Sequence, residues 1–288
     1  MKAGFIAIIG KPNVGKSTLL NRLMHFKLSI VTSKPQTTRQ RILGILTEGD
    51  HQCCFLDTPG MIEPAYELQK AMVDQVKCSL DDADVIVYVV DPWFKDDPMI
   101  QDIKKTAGSR PIICAINKID LVQKTDLLVV IRRFQASGVT DIIPVSARNG
   151  DGIEELKMSI FRLLPDGPFL YPPEHLSVDP ERFFAAELIR EAIFKGYEKE
   201  IPYATCVMID EFTERQGAKD YIRAIIYVER RSQKGILIGK KGEALKKTGA
   251  TARKGIERFL GRPVFLELWV KVKKDWRKDK KFLKEAGL

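Results

Sequence analysis

Between Gly10 and Ser17 the chain reads GKPNVGKS, two glycines five residues apart and then a lysine and a hydroxyl. Glycines so placed let the backbone curl until successive N–H groups point at one anion, and the helix that follows adds the positive end of its dipole. The stretch lies between the apolar run FIAIIG (5–10) and a helical pattern, the setting that a G-x-x-x-x-G-K-[ST] phosphate cradle requires. Gly10, Lys11, Pro12, Asn13, Val14, Gly15, Lys16, Ser17 and Thr18 are the candidate contacts. Lys16 is expected to reach the β- and γ-phosphates, and the Ser17 hydroxyl to ligate Mg2+.

NKID (Asn117, Lys118, Ile119, Asp120) chooses the base. A carboxylate at Asp120 can accept from guanine N1–H and N2–H2 together, whereas adenine has neither donor and would leave it unpaired, which costs strongly. Asn117 is the supporting amide, and the Lys118 stem covers the ring. In the stretch SAR that begins at Ser146, the Ala147 backbone N–H is expected to meet the guanine oxygen. DTPG (Asp57, Thr58, Pro59, Gly60) ends another strand: Asp57 is placed on Mg2+, and the Gly60 N–H on the γ-phosphate. The polar loop KPQTTRQR (34–41) reads as a segment ordered by phosphate and metal. Thr38 is its first choice of metal ligand and Thr37 its second.

These residues need a scaffold that gathers them. FIAIIG, CCFLDT (53–58), VIVYVVD (85–91), PIICAIN (111–117) and DIIPVSA (141–147) are nearly continuous apolar runs, as in strands buried on both faces. Helical patterns fall between them at 17–26, 65–81, 97–107, 125–137 and 152–164, and residues 42–57 read as a hairpin turning at Gly49-Asp50. The expected fold is α/β, a six-stranded, mostly parallel sheet between helices, with ligands at the carboxyl ends of the strands. This domain spans 1–166, and a proline-rich linker covers 167–180.

The rest, 181–288, reads as helix 181–199, strands 203–212 and 220–229, helices 232–238 and 243–260, and strand 264–273. The net charge of +9 is uneven, and from Arg230 onward there are 19 Lys+Arg against 6 Asp+Glu. That end should meet a polyanion. Gly239-Lys240-Lys241-Gly242 joins two helical segments as the GXXG turn of a KH module does, bringing backbone and lysines close to single-stranded RNA. Ile236, Gly239, Lys240, Lys241, Gly242, Lys246 and Lys247 are the candidate RNA contacts.

GKPNVGKS, QTTR, DTPG, NKID and SA, in this order and spacing, resemble the translation-factor-related GTPases, and with the basic half they resemble the Era family over nearly the whole chain. The resemblance implies a P-loop GTPase domain followed by an α+β type II KH domain. It implies GTP and GDP as ligands, with Mg2+. Its implied partners are the single-stranded 3′ end of 16S ribosomal RNA and the small ribosomal subunit during assembly. Lys16, Asn13, Thr38 and Gly60 are the implied catalytic set. Met61 stands where Ras-like proteins carry the glutamine that orients water, so slow hydrolysis is expected. Relatives use the residue matching Asn13 to hold K+ in place of an arginine finger.

Composition bounds the rest. At 44% hydrophobic and 30% charged residues the chain reads as a globular protein, expected to be a cytoplasmic monomer. The five cysteines form no CxxC pair and read as reduced thiols, and the three histidines lack zinc spacing. Two other readings stay open. One is an RNA chaperone whose nucleotide is only structural. The other is a membrane-linked cell-cycle regulator whose tail, with Trp276, Phe282 and Leu283, lies on the anionic inner membrane surface.

Overall fold

The computed structural model describes residues 1–93 and 98–288. Its contacts divide into two units, one of 1–29, 38–63 and 72–178, the other of 30–37, 64–71 and 179–288. The loop read as 34–41 is therefore split between Thr37 and Thr38.

In the first unit β1 (Lys2–Ile9), α1 (Lys16–Leu23), β2 (Ile42–Glu48), β3 (His51–Asp57), α2 (Glu67–Asp82, of which only the part from Met72 belongs to this unit), β4 (Val85–Val90), α3 (Pro98–Ala107), β5 (Ile112–Ile116), α4 (Lys124–Ala136), β6 (Asp141–Pro144) and α5 (Ile153–Leu163) follow in turn. The helix expected over 97–107 begins at Pro98, residue 97 lying outside the described residues. The sheet order is β2-β3-β1-β4-β5-β6, and every pair is parallel except β2 with β3. All six residues of β4 are buried, as its unbroken apolar run requires. On one face Ile9, Tyr88 and Cys114 pack with Val76 and Leu80 of α2 and Phe134 of α4.

Ile8 pairs with Asp57 and Ile116 with Pro144. Phosphate loop, DTPG, NKID and SAR thus all leave the same edge of the sheet. The proline-rich stretch read as a linker is tied to this unit as far as Val178. The Gln52 side chain accepts from Leu170 N and Tyr171 N, and Ile45 N on β2 donates to Leu176 O. The segment therefore covers an edge strand that would otherwise present unpaired backbone groups.

The second unit holds α6 (Glu181–Gly196), α7 (Ile201–Ala204), β7 (Cys206–Thr213), β8 (Asp220–Val228), α8 (Arg231–Ile238), α9 (Glu243–Leu260), β9 (Val264–Val272) and α10 (Lys280–Glu285). Its sheet runs β7-β8-β9, antiparallel and then parallel. Ile189 and Ile193 of α6 meet Ile222, Ile226, Ala252, Ile256 and Val264 in one core. α6 ends at Gly196 and not at 199, because extended Tyr197 turns its ring inward. The Tyr197 hydroxyl donates to Leu237 O at 2.8 Å and lies 3.0 Å from Thr248 Oγ1, tying α6 to α8 and α9. β7 starts three residues later than its apolar pattern suggests, because Pro202 opens the short α7 turn.

Buried Asp220 accepts from Arg215 N at 3.0 Å and from Arg262 Nε, while Arg262 also holds Glu181 at the start of α6. The Arg215 N–H and then the Arg262 guanidinium keep the Asp220 carboxyl below its usual range. Its contribution is complete above the unfolded carboxyl's titration and is lost as pH falls through the folded value. Arg262→Ala should cost this unit about 1–3 kcal/mol at pH 7 and flatten its loss of stability below about pH 4. Urea unfolding followed by Trp269 and Trp276 fluorescence, with Trp93 replaced by Phe, measures both.

Candidate nucleotide site and nucleic-acid groove

The phosphate loop turns through left-handed backbone at Asn13 (φ 64°) and Gly15 (φ 101°), and α1 begins at Lys16. Asparagine tolerates that region, but Gly15 is obligatory: a Cβ there would come within 2.2 Å of Asn117 Nδ2. Lys16 is buried, and its Nζ donates to Gly10 O at 3.1 Å and Lys11 O at 2.9 Å. Burial lowers the Lys16 pKa to about 8, against the opposing attraction of Asp57. Burial likewise raises the Asp57 carboxyl, against the Ser17 hydrogen bond and the Lys16 charge. Both groups are pressed towards their neutral forms, so an anion on Lys16 and a cation on Asp57 are each favoured.

Three hard oxygens gather beside that lysine. Ser17 Oγ donates to Asp57 Oδ2 at 2.7 Å and lies 2.9 Å from Thr38 Oγ1. Asp57 Oδ1 is buried without a hydrogen-bond partner. An unpaired carboxylate oxygen next to two hydroxyls suits Mg2+, which takes oxygen ligands. When bound, Mg2+ would neutralise charge developing on the phosphates. Thr37 is placed otherwise: its hydroxyl donates to Lys34 O at 2.8 Å and meets Thr32 Oγ1 at 2.7 Å. Of the two candidate threonines, only Thr38 faces Ser17.

At the base end Asn117 Nδ2 donates to Val14 O at 2.8 Å, locking NKID to the phosphate loop. Asp120 Oδ1 accepts from the Ser146 hydroxyl at 2.6 Å, which orients the carboxylate. Lys118 is in left-handed backbone (φ 66°), with its Nζ 3.4 Å from Asp91 and 5.7 Å from the centre of the Trp93 ring. The Ala147 N–H, expected to meet the guanine oxygen, donates here to Asn117 Oδ1 at 2.9 Å, which holds the SAR turn beside the NKID amide. Arg22 secures that turn from α1 by donating to Ala147 O, a support the spacing of motifs did not suggest.

Thr58 is buried, and its hydroxyl donates to Ile8 O at 2.8 Å. Gly60 lies against Pro12, and Met61 N donates to Gly10 O at 3.0 Å, so DTPG is laced to the phosphate loop. The Met61 side chain packs on the core under the sheet. It supplies no polar group for water.

In the second unit Gln233 Oε1 accepts from Glu229 N and Arg230 N and starts α8. Gly239 ends it at φ 72°, where a Cβ would stand 2.6 Å from Ala244 Cβ. Lys240 and Lys241 are exposed on the turn, as is Ile236 on α8. Between α9 and the edge strand β9 runs a groove of about 520 Å³ lined by Gly242, Leu245, Lys246, Gly249, Arg253 and Leu268, among others. Lys247, one step round the helix, lies outside that lining. Gly249 and Leu268 are walls that a reading by motif missed, since a helix glycine and a strand leucine look like ordinary core.

Residues 5–118 match the family described as 50S ribosome-binding GTPase, and residues 200–277 the KH domain. GTPase Era of Geobacter sp. (strain M21) is 45% identical over 293 residues, covering 99% of this chain and 97% of that protein. The chain belongs to the Era family of GTPases. The chloroplastic GTPase ERA1 of Zea mays is 40% identical, covering 99% of this chain and 70% of its own. Among solved structures, a single-residue variant of Aquifex aeolicus Era bound to GDP.AlF4- superposes with a TM-score of 0.95 at 40% identity, covering 100% of this chain and 99% of that one. An Era in complex with MgGDPNP and nucleotides 1506–1542 of 16S ribosomal RNA matches equally well.

As an Era-family GTPase the protein converts GTP and water to GDP and phosphate. Its fold is a P-loop GTPase domain followed in sequence by a KH domain. Lys16 and the backbone N–H groups of the loop would offer preorganised positive charge to bound phosphates. Trp276 is wholly buried, with its Nε1 donating to Ala204 O at 2.9 Å, and Phe282 and Leu283 are buried beside it. Among the described residues no helix is long and apolar enough to span a bilayer. Thr38→Ala should raise the Mg2+ concentration for half-maximal GTP turnover at least about tenfold, and Thr37→Ala much less, because only Thr38 reaches Ser17. Hydrolysis assayed across a Mg2+ titration decides between them.

Proposed function

We propose that the protein is a slow, Mg2+-dependent GTP switch that binds the 3′ end of 16S ribosomal RNA through its KH domain and serves assembly of the small ribosomal subunit in the cytoplasm. The observation that carries this reading is the Ser17, Thr38 and Asp57 oxygen cluster in the same chain as a basic GXXG groove. The likeness to an Era bound to MgGDPNP and to the 16S fragment supports both ligands. The order of events follows from the charges. Lys16 would hold the phosphates, and Asp57, Ser17 and Thr38 would hold the metal, so the 34–41 and 57–66 segments would be ordered with GTP and freed after hydrolysis. RNA affinity then differs between the two nucleotide states, the protein acting as a monomer.

Met61 leaves the attacking water without a side-chain orienter, which supports slow turnover. Exposed Asn13, in its left-handed turn, is the residue proposed to hold K+ beside the phosphates. Turnover by the parent protein should be at least about tenfold faster in K+ than in Na+ at equal ionic strength, and Asn13→Ala should erase the difference. Equal rates in the two salts would remove Asn13 from the catalytic set.

For RNA, Lys240→Asp with Lys241→Asp should weaken binding of a 16S 3′-end oligonucleotide by about 100-fold at 0.1 M salt and reduce the salt dependence. GTP affinity should not change. Filter binding at several salt concentrations reads both, and crosslinking to cellular RNA with GTP or GDP tests the choice of RNA. Crosslinks scattered away from ribosomal RNA would favour a general RNA chaperone.

A further inference from the structure

Thr38 reaches Ser17, but the residues just before it are held elsewhere. Ile30 is buried in the core that α6 shares with β8 and β9. Lys34 Nζ donates to the carbonyls of Phe194 and Tyr197, at the C-terminal end of α6, where unpaired carbonyls and the negative pole of the helix favour a cation. Arg190, one turn back on α6, donates from one guanidinium nitrogen to Thr37 O and from another to Glu187 Oε1 at 2.6 Å. Both partners of that ion pair are buried, and the guanidinium stands 5.5 Å from the centre of the Phe194 ring. Thr37 is thus fixed at its hydroxyl and at its carbonyl. That carbonyl shares one rigid peptide plane with the Thr38 N–H.

We propose that Arg190 and Lys34 are positioning residues for the GTPase site. Arg190 sets the peptide plane from which Thr38 reaches Ser17, and Lys34 anchors the same loop to the end of α6. The anchoring of Lys34 and Thr37 thus bears on how readily the next residue, Thr38, comes to Ser17. This rests on the Mg2+-dependent GTPase reading above.

The test uses the full-length protein and titrates Mg2+ in a GTP hydrolysis assay. Lys34→Ala should raise the half-maximal Mg2+ concentration about five- to tenfold. Arg190→Ala would strand the Glu187 carboxylate and endanger folding, so Arg190→Met is paired with Glu187→Gln, with the same shift expected. Arg190→Lys, which can still donate to Thr37 O, should recover part of it. GDP affinity measured in EDTA should stay within about twofold of the parent, since neither residue touches the phosphate loop. Folded variants with the parental Mg2+ midpoint overturn the proposal, as does a loss of GDP affinity in EDTA as large as the shift. A parent protein without Mg2+-dependent turnover would instead defeat the reading on which it rests.

Discussion

Lys16 and Asp57 are buried together at the carboxyl end of a parallel sheet, and the rest of the first unit is arranged around that fact. Burial drives the lysine towards pKa 8 and raises the carboxyl, so each ion sits in surroundings that do not fully offset its desolvation. Two loop carbonyls accept from the lysine, and the Ser17 hydroxyl donates to the carboxylate. Such a cluster lowers stability unless ligands complete it, which is how a binding site differs from a structural ion pair. The rigid part of the protein holds this unfavourable part in place. β1 and β3 are in register at Ile8 and Asp57, Asn117 ties the base end to Val14, and Met61 N ties DTPG to Gly10.

Much of this was legible in the sequence, for reasons that differ by element. The parallel strands could be read because burial on both faces leaves an unbroken apolar run, as in VIVYVV. The span of α9 could be read to the residue because Gly242 and Gly261 flank it, both in left-handed backbone that ends helices. Short polar motifs were legible where chemistry demands one residue type, as at Lys16, Ser17, Asp57 and Asp120.

What was not legible depends on contacts far apart along the chain. No local pattern tells that Ile30 belongs to a core built from residues beyond 184, or that 30–37 and 38–63 fall in different units. The end of α6 was misread because the tertiary pull on the Tyr197 hydroxyl outweighs helix propensity for the next turn. The bond from the Ala147 N–H to the Asn117 amide was not foreseen because the two residues are thirty apart in sequence. In each case a single long-range hydrogen bond or apolar contact decides the outcome.

The KH groove shows what a motif can and cannot specify. GKKG supplies a turn with two exposed lysines, enough for phosphates and for no particular base. The surface a base would meet is made by Leu245, Gly249 and Leu268, with Lys246 and Arg253 on the rim. Gly249 matters by what it lacks: a Cβ there would come within 3.3 Å of Leu268 Cδ1, so the glycine lets α9 approach β9 closely. A groove of about 520 Å³ with apolar walls and a basic rim admits a few splayed bases. A duplex, whose bases stay stacked and paired inside the helix, would offer that wall no base to meet. A preference for single strands would therefore come from the wall and not from the lysines, which would grip the phosphates of any nucleic acid equally.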